Sequence, residues 1–234
     1  MQFDPPLQVA RLVRRYQRFL ADVVCSDGTP LTVHCPNTGS MRACAEPGSR
    51  VWYRDSGNPQ RKYPCTWELV EVQGRFLACI NTQRANGLVE AALHAGTVPS
   101  LRGYTRLQRE VRYGAENSRI DLLLHFAAQR CYVEVKNVTL LEEDGIGAFP
   151  DAVTQRGAKH LRELQQMVRE GQRAVLVFCV AHTGIQAVRP ADHIDPGYGR
   201  ALREAVAAGV EVVALGAEIT PQAMALRGPL PVLL

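Results

Sequence analysis

The sequence predicts an α/β protein with an N-terminal all-β part: a small barrel followed by a mixed α/β sheet packed against helices. Three observations predict it. Residues 1–84 fall into short strand-like runs separated by turn residues, with no convincing helical period. Residues 85–234 instead alternate helical and strand patterns. Within that second part Ala174 to Ala181 is continuously apolar and lies between two helical segments, which is the pattern of a strand covered on both faces.

In the first part the expected strands are Leu7 to Val13, Arg18 to Cys25, Leu31 to His34, Arg50 to Arg54, Tyr63 to Val72 and Arg75 to Asn81. Turns fall at Ser26-Asp27-Gly28, Pro36-Asn37-Thr38-Gly39, Glu46-Pro47-Gly48 and Gln73-Gly74, where glycine and short polar residues suit tight backbone. Five or six short strands in this length suggest a small barrel, and the OB-like barrel is the commonest one that binds nucleic acid. A short helix from Asn86 to Gly96 marks the junction between an OB-like unit, 1–84, and an α/β unit, 85–234.

Three strands are expected next, about Leu107 to Tyr113, Arg119 to Phe126 and Cys131 to Leu141. A loop with Glu142-Glu143-Asp144-Gly145 leads to a helix from Asp151 to Glu170, whose apolar stripe is Val153, Leu161, Leu164 and Val168 and whose stop is Gly171. The strand Ala174 to Ala181, a helix near Tyr198 to Ala208 and a strand Val210 to Leu215 complete the sheet.

The net charge of +4 lies entirely in the first part: residues 1–84 carry eleven Lys and Arg against seven Asp and Glu, whereas residues 85–234 carry sixteen of each. A basic excess on one small barrel is an electrostatic footprint for nucleic acid. Aromatic residues interleave with basic ones in Tyr16-Gln17-Arg18-Phe19, Trp52-Tyr53-Arg54 and Arg61-Lys62-Tyr63, the composition of a base-stacking platform with phosphate contacts. Arg18, Tyr53, Arg54, Arg61 and Lys62 are therefore candidate DNA-binding residues. Each aromatic is equally suited to filling a small barrel core.

Seven cysteines, with no Cys-x-x-Cys pair, read as reduced core thiols rather than disulfide or zinc partners. The longest apolar run is too short to span a bilayer, and the first twenty residues lack the apolar stretch of a signal peptide. The expectation is a cytoplasmic protein without a membrane partner.

The chemistry concentrates in Ser118 to Leu124 and Cys131 to Asn137. Alternation on a strand puts Glu134 and Lys136 on one face and Val133 and Val135 on the other. A hairpin between the two runs brings Asp121 beside Glu134. Two carboxylates supply oxygen ligands to a hard divalent cation, and a lysine two residues along orients an attacking water, so the set suits phosphodiester hydrolysis. The structural alternative is an ion pair between Lys136 and either acid. Arg156, Lys159 and His160, at i, i+3 and i+4 on the following helix, are candidate phosphate clamps.

Several longer segments carry a resemblance. His34-Cys35-Pro36-Asn37-Thr38-Gly39-Ser40-Met41, Glu110 to Gly114, Ser118 to Asp121, Tyr132 to Leu140 and Phe149-Pro150-Asp151-Ala152-Val153-Thr154, followed by Arg156-Gly157 and Lys159-His160-Leu161, resemble the sugar fermentation stimulation protein A family. The resemblance implies an OB-like barrel followed by a domain similar to the PD-(D/E)xK nucleases, in a family described as non-specific DNA binders with a regulatory role in sugar utilisation. It implies catalytic residues at Asp121, Glu134 and Lys136, and Mg or Mn held by Asp121, Glu134 and the Val135 backbone carbonyl. A further acid falls at Glu90 or Glu110. Ile120 stands where the nuclease pattern has proline. Two functions follow: a metal-dependent DNA endonuclease or exonuclease, or a DNA-binding regulator with a catalytically silent nuclease fold. RNA is a third substrate that the residues leave open.

Overall fold

The structure is a computed structural model describing residues 1–114 and 116–234. Its first part consists of β1 (Gln8–Tyr16), β2 (Leu20–Cys25), β3 (Pro30–His34), β4 (Arg50–Asp55), β5 (Cys65–Val72) and β6 (Phe76–Cys79). Strands β1 to β5 pair in the order β3-β2-β1-β4-β5, and a parallel contact at His34 and Thr66 joins β3 to β5. The sheet therefore closes into a five-stranded OB-like barrel, with β6 as a sixth strand hydrogen-bonded to β5. Alternation drives the closure: Ala10, Leu12, Ala21, Val23 and Val33 point into a shared core, while Arg11, Val13 and Val24 face out. Trp67 fills the core, its indole N–H donating to the Leu69 carbonyl at 2.9 Å. Tyr53 is buried there too, 5 % exposed, with its hydroxyl bonded to Gln8. The expected stacking role for Tyr53 is thereby corrected, since a ring packed in the barrel core offers no face to a base.

A helix, α1 (Arg84–His94), connects the barrel to a six-stranded sheet. That sheet contains β7 (Arg106–Tyr113), β8 (Ser118–His125) and β9 (Arg130–Val138); β10 (Leu140–Leu141) and β11 (Ile146–Phe149) then leave it for a small second sheet. After α2 (Gln155–Arg169) come β12 (Arg173–Val180), β13 (Ala187–Pro190), α3 (Pro196–Ala207), β14 (Glu211–Ile219) and β15 (Met224–Leu230). The large sheet runs β15-β14-β12-β9-β8-β7, parallel across β9, β12 and β14 and antiparallel at both edges. One face packs on α1 and on barrel residues Trp52, Leu69 and Cys79; the other packs on α2 and α3. The continuously apolar β12 sits between these two cores, as expected of a strand buried on both sides.

Several boundaries and elements differ from the sequence reading. The second helix begins at Gln155 rather than Asp151, because the Thr154 side chain accepts the Gly157 N–H at 3.0 Å and caps it. Val153 thus lies outside the apolar stripe and is 73 % exposed. The end of the expected long strand breaks after Val138, and Leu140–Leu141 peel away as β10. Strands β11, β13 and β15 were not expected from the sequence at all; β11 and β13 are only four residues long. Six of the seven cysteines are buried and all seven are free thiols. Among the described residues no helix is long and apolar enough to cross a membrane.

Candidate active site at the β8–β9 hairpin

The β8–β9 register pairs Leu122 with Val133, which puts Asp121 opposite Glu134. The two are near enough for the Glu134 charge to act on Asp121, but Asp121 is hydrogen-bonded toward α1 and Glu134 toward α2, which packs on the other face of the sheet. Their environments are different. Asp121 accepts from the Asn86 side chain on α1 at 2.9 Å and from the Val135 backbone N–H at 2.7 Å. Burial, followed by the nearby Glu134 carboxylate, pushes the Asp121 carboxyl up to about 6. Glu134 is 2 % exposed and shares one oxygen, Oε1, between Lys136 Nζ at 2.7 Å and the His160 ring. Burial alone would raise its pKa, but the His160 hydrogen bond and the Lys136 charge outweigh it and hold the group below the usual glutamate value. Its other oxygen, Oε2, is buried with no partner among the described residues. The structure thus realises the ion pair weighed from sequence and leaves half of the carboxylate open.

His160 is placed by α2 rather than by solvent. It is 5 % exposed, because Leu161, Leu164 and Met167 turn this part of the helix onto the sheet. Arg156 Nε approaches His160 Nε2 at 3.4 Å, so the ring proton belongs on Nδ1, donating to Glu134. The expected phosphate-clamp role for His160 is corrected: the ring is spent on Glu134. Arg156 remains exposed at the helix start, and Lys159, half-buried, donates to the Glu116 carbonyl.

The remaining candidates separate by location. Glu90 lies one turn after Asn86 on α1 and is paired with Arg109 and His94. Glu110 is exposed, with a φ of 54°, on the outer strand β7. In the barrel, Arg18 is exposed in the β1–β2 turn, Arg61 is half-buried, and Lys62 is exposed over the Tyr63 ring, 5.5 Å from its centroid. Arg54 faces the buried Glu68 at 3.3 Å. Sequence reasoning missed Asn86, whose position i−4 from Glu90 gave no signal of an Asp121 contact. It also missed Tyr113 and Tyr198, whose buried hydroxyls have no partner among the described residues and whose pKa values burial and Glu134 both raise.

The donor set can be tested against a divalent cation. Among the described residues no cluster of three His, Cys, Asp or Glu side chains forms a ready-made metal cage. Half-buried Asp121 and buried Glu134 nevertheless lie on adjacent strands, where the Glu134 charge raises the cost of ionising Asp121, and the Oε2 of Glu134 lacks a donor. A hard cation that keeps most of its water shell and uses one or two carboxylates fits this set.

Comparison with known proteins follows the same division of the chain. The model for the N-terminal OB domain of the sugar fermentation stimulation proteins matches residues 13–80, and the model for their RE domain matches residues 83–223. The chain belongs to the sugar fermentation stimulation protein family. A sugar fermentation stimulation protein homolog of Pseudomonas paraeruginosa is 59 % identical over 99 % of both chains. One of Azotobacter vinelandii is 58 % identical over 97 % of both. Among solved structures, the Pyrococcus furiosus member in complex with Ca2+ matches with a TM-score of 0.88 at 29 % identity, over 100 % of this chain and 98 % of that one. The OB-like barrel and mixed α/β sheet are thus family features.

Proposed function

We propose that this family member binds DNA without sequence preference and hydrolyses phosphodiester bonds at Asp121, Glu134 and Lys136 with Mg or Mn. The observation that carries the reading is the half-buried Asp121 and buried Glu134 carboxylates on adjacent strands, with Lys136 paired to Glu134, the Asp121 carboxyl displaced toward neutrality and one Glu134 oxygen open. Asp121, Glu134 and the Val135 carbonyl would hold the cation, which would polarise the phosphate and activate water. Lys136 orients the attacking water. Its pairing with Glu134 fixes the ammonium in place. Arg156 and Lys159 neutralise phosphate charge from the start of α2. Arg18, Arg61 and Lys62 supply barrel contacts to the backbone. The Ca2+ complex of the Pyrococcus furiosus relative supports a cation site in the family, since Ca2+ is a hard oxygen-seeking ion like Mg.

A second reading is a DNA-binding regulator of sugar utilisation with a silent nuclease fold. It is favoured by Glu134 Oε1, which Lys136 and His160 already satisfy without a cation. Purified protein incubated with plasmid and with single-stranded DNA, in Mg, Mn or EDTA, separates the two. The expected result is cleavage with Mg or Mn and none with EDTA. Lys136→Ala should lower the cleavage rate by about two orders of magnitude or more while changing DNA affinity little. Absence of cleavage in every metal, with Lys136→Ala merely weakening DNA binding, establishes the silent fold instead.

A further inference from the structure

Three sequence segments that lie far apart in the chain meet beside Lys136. The barrel turn Asn37-Thr38-Gly39, the end of β9 at Lys136 and Asn137, and the segment Phe149 to Asp151 line one cavity of about 270 Å³, closed by the first turn of α1. The barrel turn is locked to the far wall: Ser40 Oγ donates to the Asp151 carbonyl at 2.7 Å, and the Met41 N–H donates to Asp151 Oδ2 at 3.1 Å. Gly39 is required at this contact, because a Cβ there would stand 2.6 Å from Asp151 Oδ2. A second cavity of about 520 Å³ shares Thr38, Gly39, Phe149 and Asp151 with the first and continues to Arg15 and Arg18. The two make a groove along the junction of barrel and sheet.

The chemistry of the inner cavity is specific. Asn37 is 6 % exposed and its side-chain oxygen accepts the Gly39 N–H at 2.8 Å, leaving its NH2 without a partner among the described residues. Asn137 has no side-chain hydrogen bond among them, and Asn86 uses its NH2 on Asp121 while its oxygen stays free. Carboxamides pair with the donor and acceptor edge of a heteroaromatic base, and the apolar wall from Val135, Leu140, Ala148 and Phe149 suits a flat ring. Charge orients such a ligand. Lys136 and Asp151 both line the cavity, so its wall carries a cation and a carboxylate.

We propose that this cavity takes one unpaired nucleotide, its base among Asn37, Asn86 and Asn137 and its phosphate directed toward the adjoining Asp121, Glu134 and Lys136 site. The proposal rests on reading the Asp121, Glu134 and Lys136 site as a phosphodiester site, and it names the substrate class: a single strand, a frayed end or a base turned out of a duplex. A cavity this size, at the lower limit for small-molecule sites, holds one nucleotide and excludes a duplex. The strand continues along the outer cavity toward Arg18.

The test is binding of nucleoside 5′-monophosphates to the full-length protein by calorimetry and saturation-transfer NMR, with 2-deoxyribose 5-phosphate as the base-free probe. Ribose and deoxyribose series run side by side to distinguish RNA from DNA. At least one monophosphate of either series should bind roughly 5- to 100-fold more tightly than the sugar phosphate, the range expected for a seated base. Asn137→Leu, which keeps the shape and removes the amide, should cut that base-dependent gain by about fivefold or more and leave sugar-phosphate binding unchanged. Asn37→Ala is the second variant, read the same way, should the first fail to fold. Equal affinity for sugar phosphate and every nucleotide, no detectable nucleotide binding, or nucleotide binding that neither variant alters would each overturn the proposal. Plasmid cleavage without nucleotide binding removes this pocket alone. Nucleotide binding without cleavage in any metal removes hydrolysis and keeps the pocket.

Discussion

Glu134 holds two donors on one oxygen and none on the other, and that asymmetry decides what each neighbour does. Lys136 supplies charge and His160 supplies direction, since a ring N–H at Nδ1 held by α2 fixes the carboxylate plane. Removing the donor while keeping bulk, in His160→Leu, should free the carboxylate to turn toward Lys136 and lower cleavage by about tenfold to a hundredfold, the usual cost of losing such an orienting partner. His160→Asn keeps an N–H near the Nδ1 position and should retain most activity. Rate measurements on both variants, beside thermal unfolding, check this: equal losses would mean that the ring only fills space. The β8–β9 hairpin and the shared side of Glu134 and Lys136 were legible because two-residue alternation and a short hairpin are local rules that the core does not override. His160 was misread for a helical reason. Its phase depends on where α2 starts, and the Thr154 cap with the Leu161, Leu164 and Met167 packing sets that phase.

At the scale of elements, the junction between β5 and α1 is carried by one buried acid. Glu68 is fully buried and accepts from Arg84 at 2.8 and 3.0 Å, from Asn81 at 2.9 Å and from Arg54 at 3.3 Å. Arg84 opens α1, so this acid fixes the helix that presents Asn86 to Asp121. Glu68→Ala should cost roughly 3 kcal/mol or more, because two guanidinium groups and an amide lose a common partner inside the fold. Glu68→Gln, which keeps the shape, should cost less; urea unfolding of the two variants gives the comparison, and a loss below about 1 kcal/mol for the alanine variant would contradict it. The sequence showed the barrel strands and α1 but not this linkage, since a glutamate within the apolar run Thr66 to Val70 gives no hint of its partners. For the same reason Arg54, expected on the DNA surface, proved to be partly committed to Glu68. The small sheet of β10, β11 and β13 was illegible because strands of two to four residues carry too little alternation to register.

In the whole molecule the barrel and the C-terminal sheet share a core and a backbone seam. Trp52, Leu69 and Cys79 pack in the same cluster as Leu122, Val133 and Val177. Strand β6 bonds to the segment after β12: the Cys79 N–H donates to the Ala181 carbonyl at 2.9 Å, and the Thr183 N–H donates to the Leu77 carbonyl at 2.9 Å. An isolated fragment 1–84 would expose that cluster, so the proposed DNA binding by the barrel is best measured in the full chain. Its affinity for duplex should fall with salt, and replacing Arg61 and Lys62 by alanine should reduce the log-log slope by about 1.8 if both touch phosphate. An unchanged slope in salt titrations would move the contacts elsewhere.

The seam also contains a buried histidine that ties stability to pH. His182 is 1 % exposed, its ring centroid lies 5.8 Å from that of Phe76 on β6, and its Nδ1 accepts the Gly184 N–H at 3.0 Å. The proton therefore sits on Nε2, which has no partner among the described residues. Burial pushes the pKa down to about 4 from the ordinary 6.5, so the unfolded chain takes up a proton well before the folded one. The stability that His182 contributes as a neutral ring is present above the ordinary histidine range and is lost as pH falls from about 6.5 toward 4. Between pH 7 and pH 5 this amounts to about 2 kcal/mol. His182→Asn keeps an acceptor for Gly184 and removes the titration, so whatever its absolute stability, its loss between pH 7 and pH 5 should be smaller by about that amount. Denaturant unfolding at the two pH values measures the difference. Parallel losses in the wild type and the variant would place the acid sensitivity of the fold in its carboxylates rather than in the seam between its two parts.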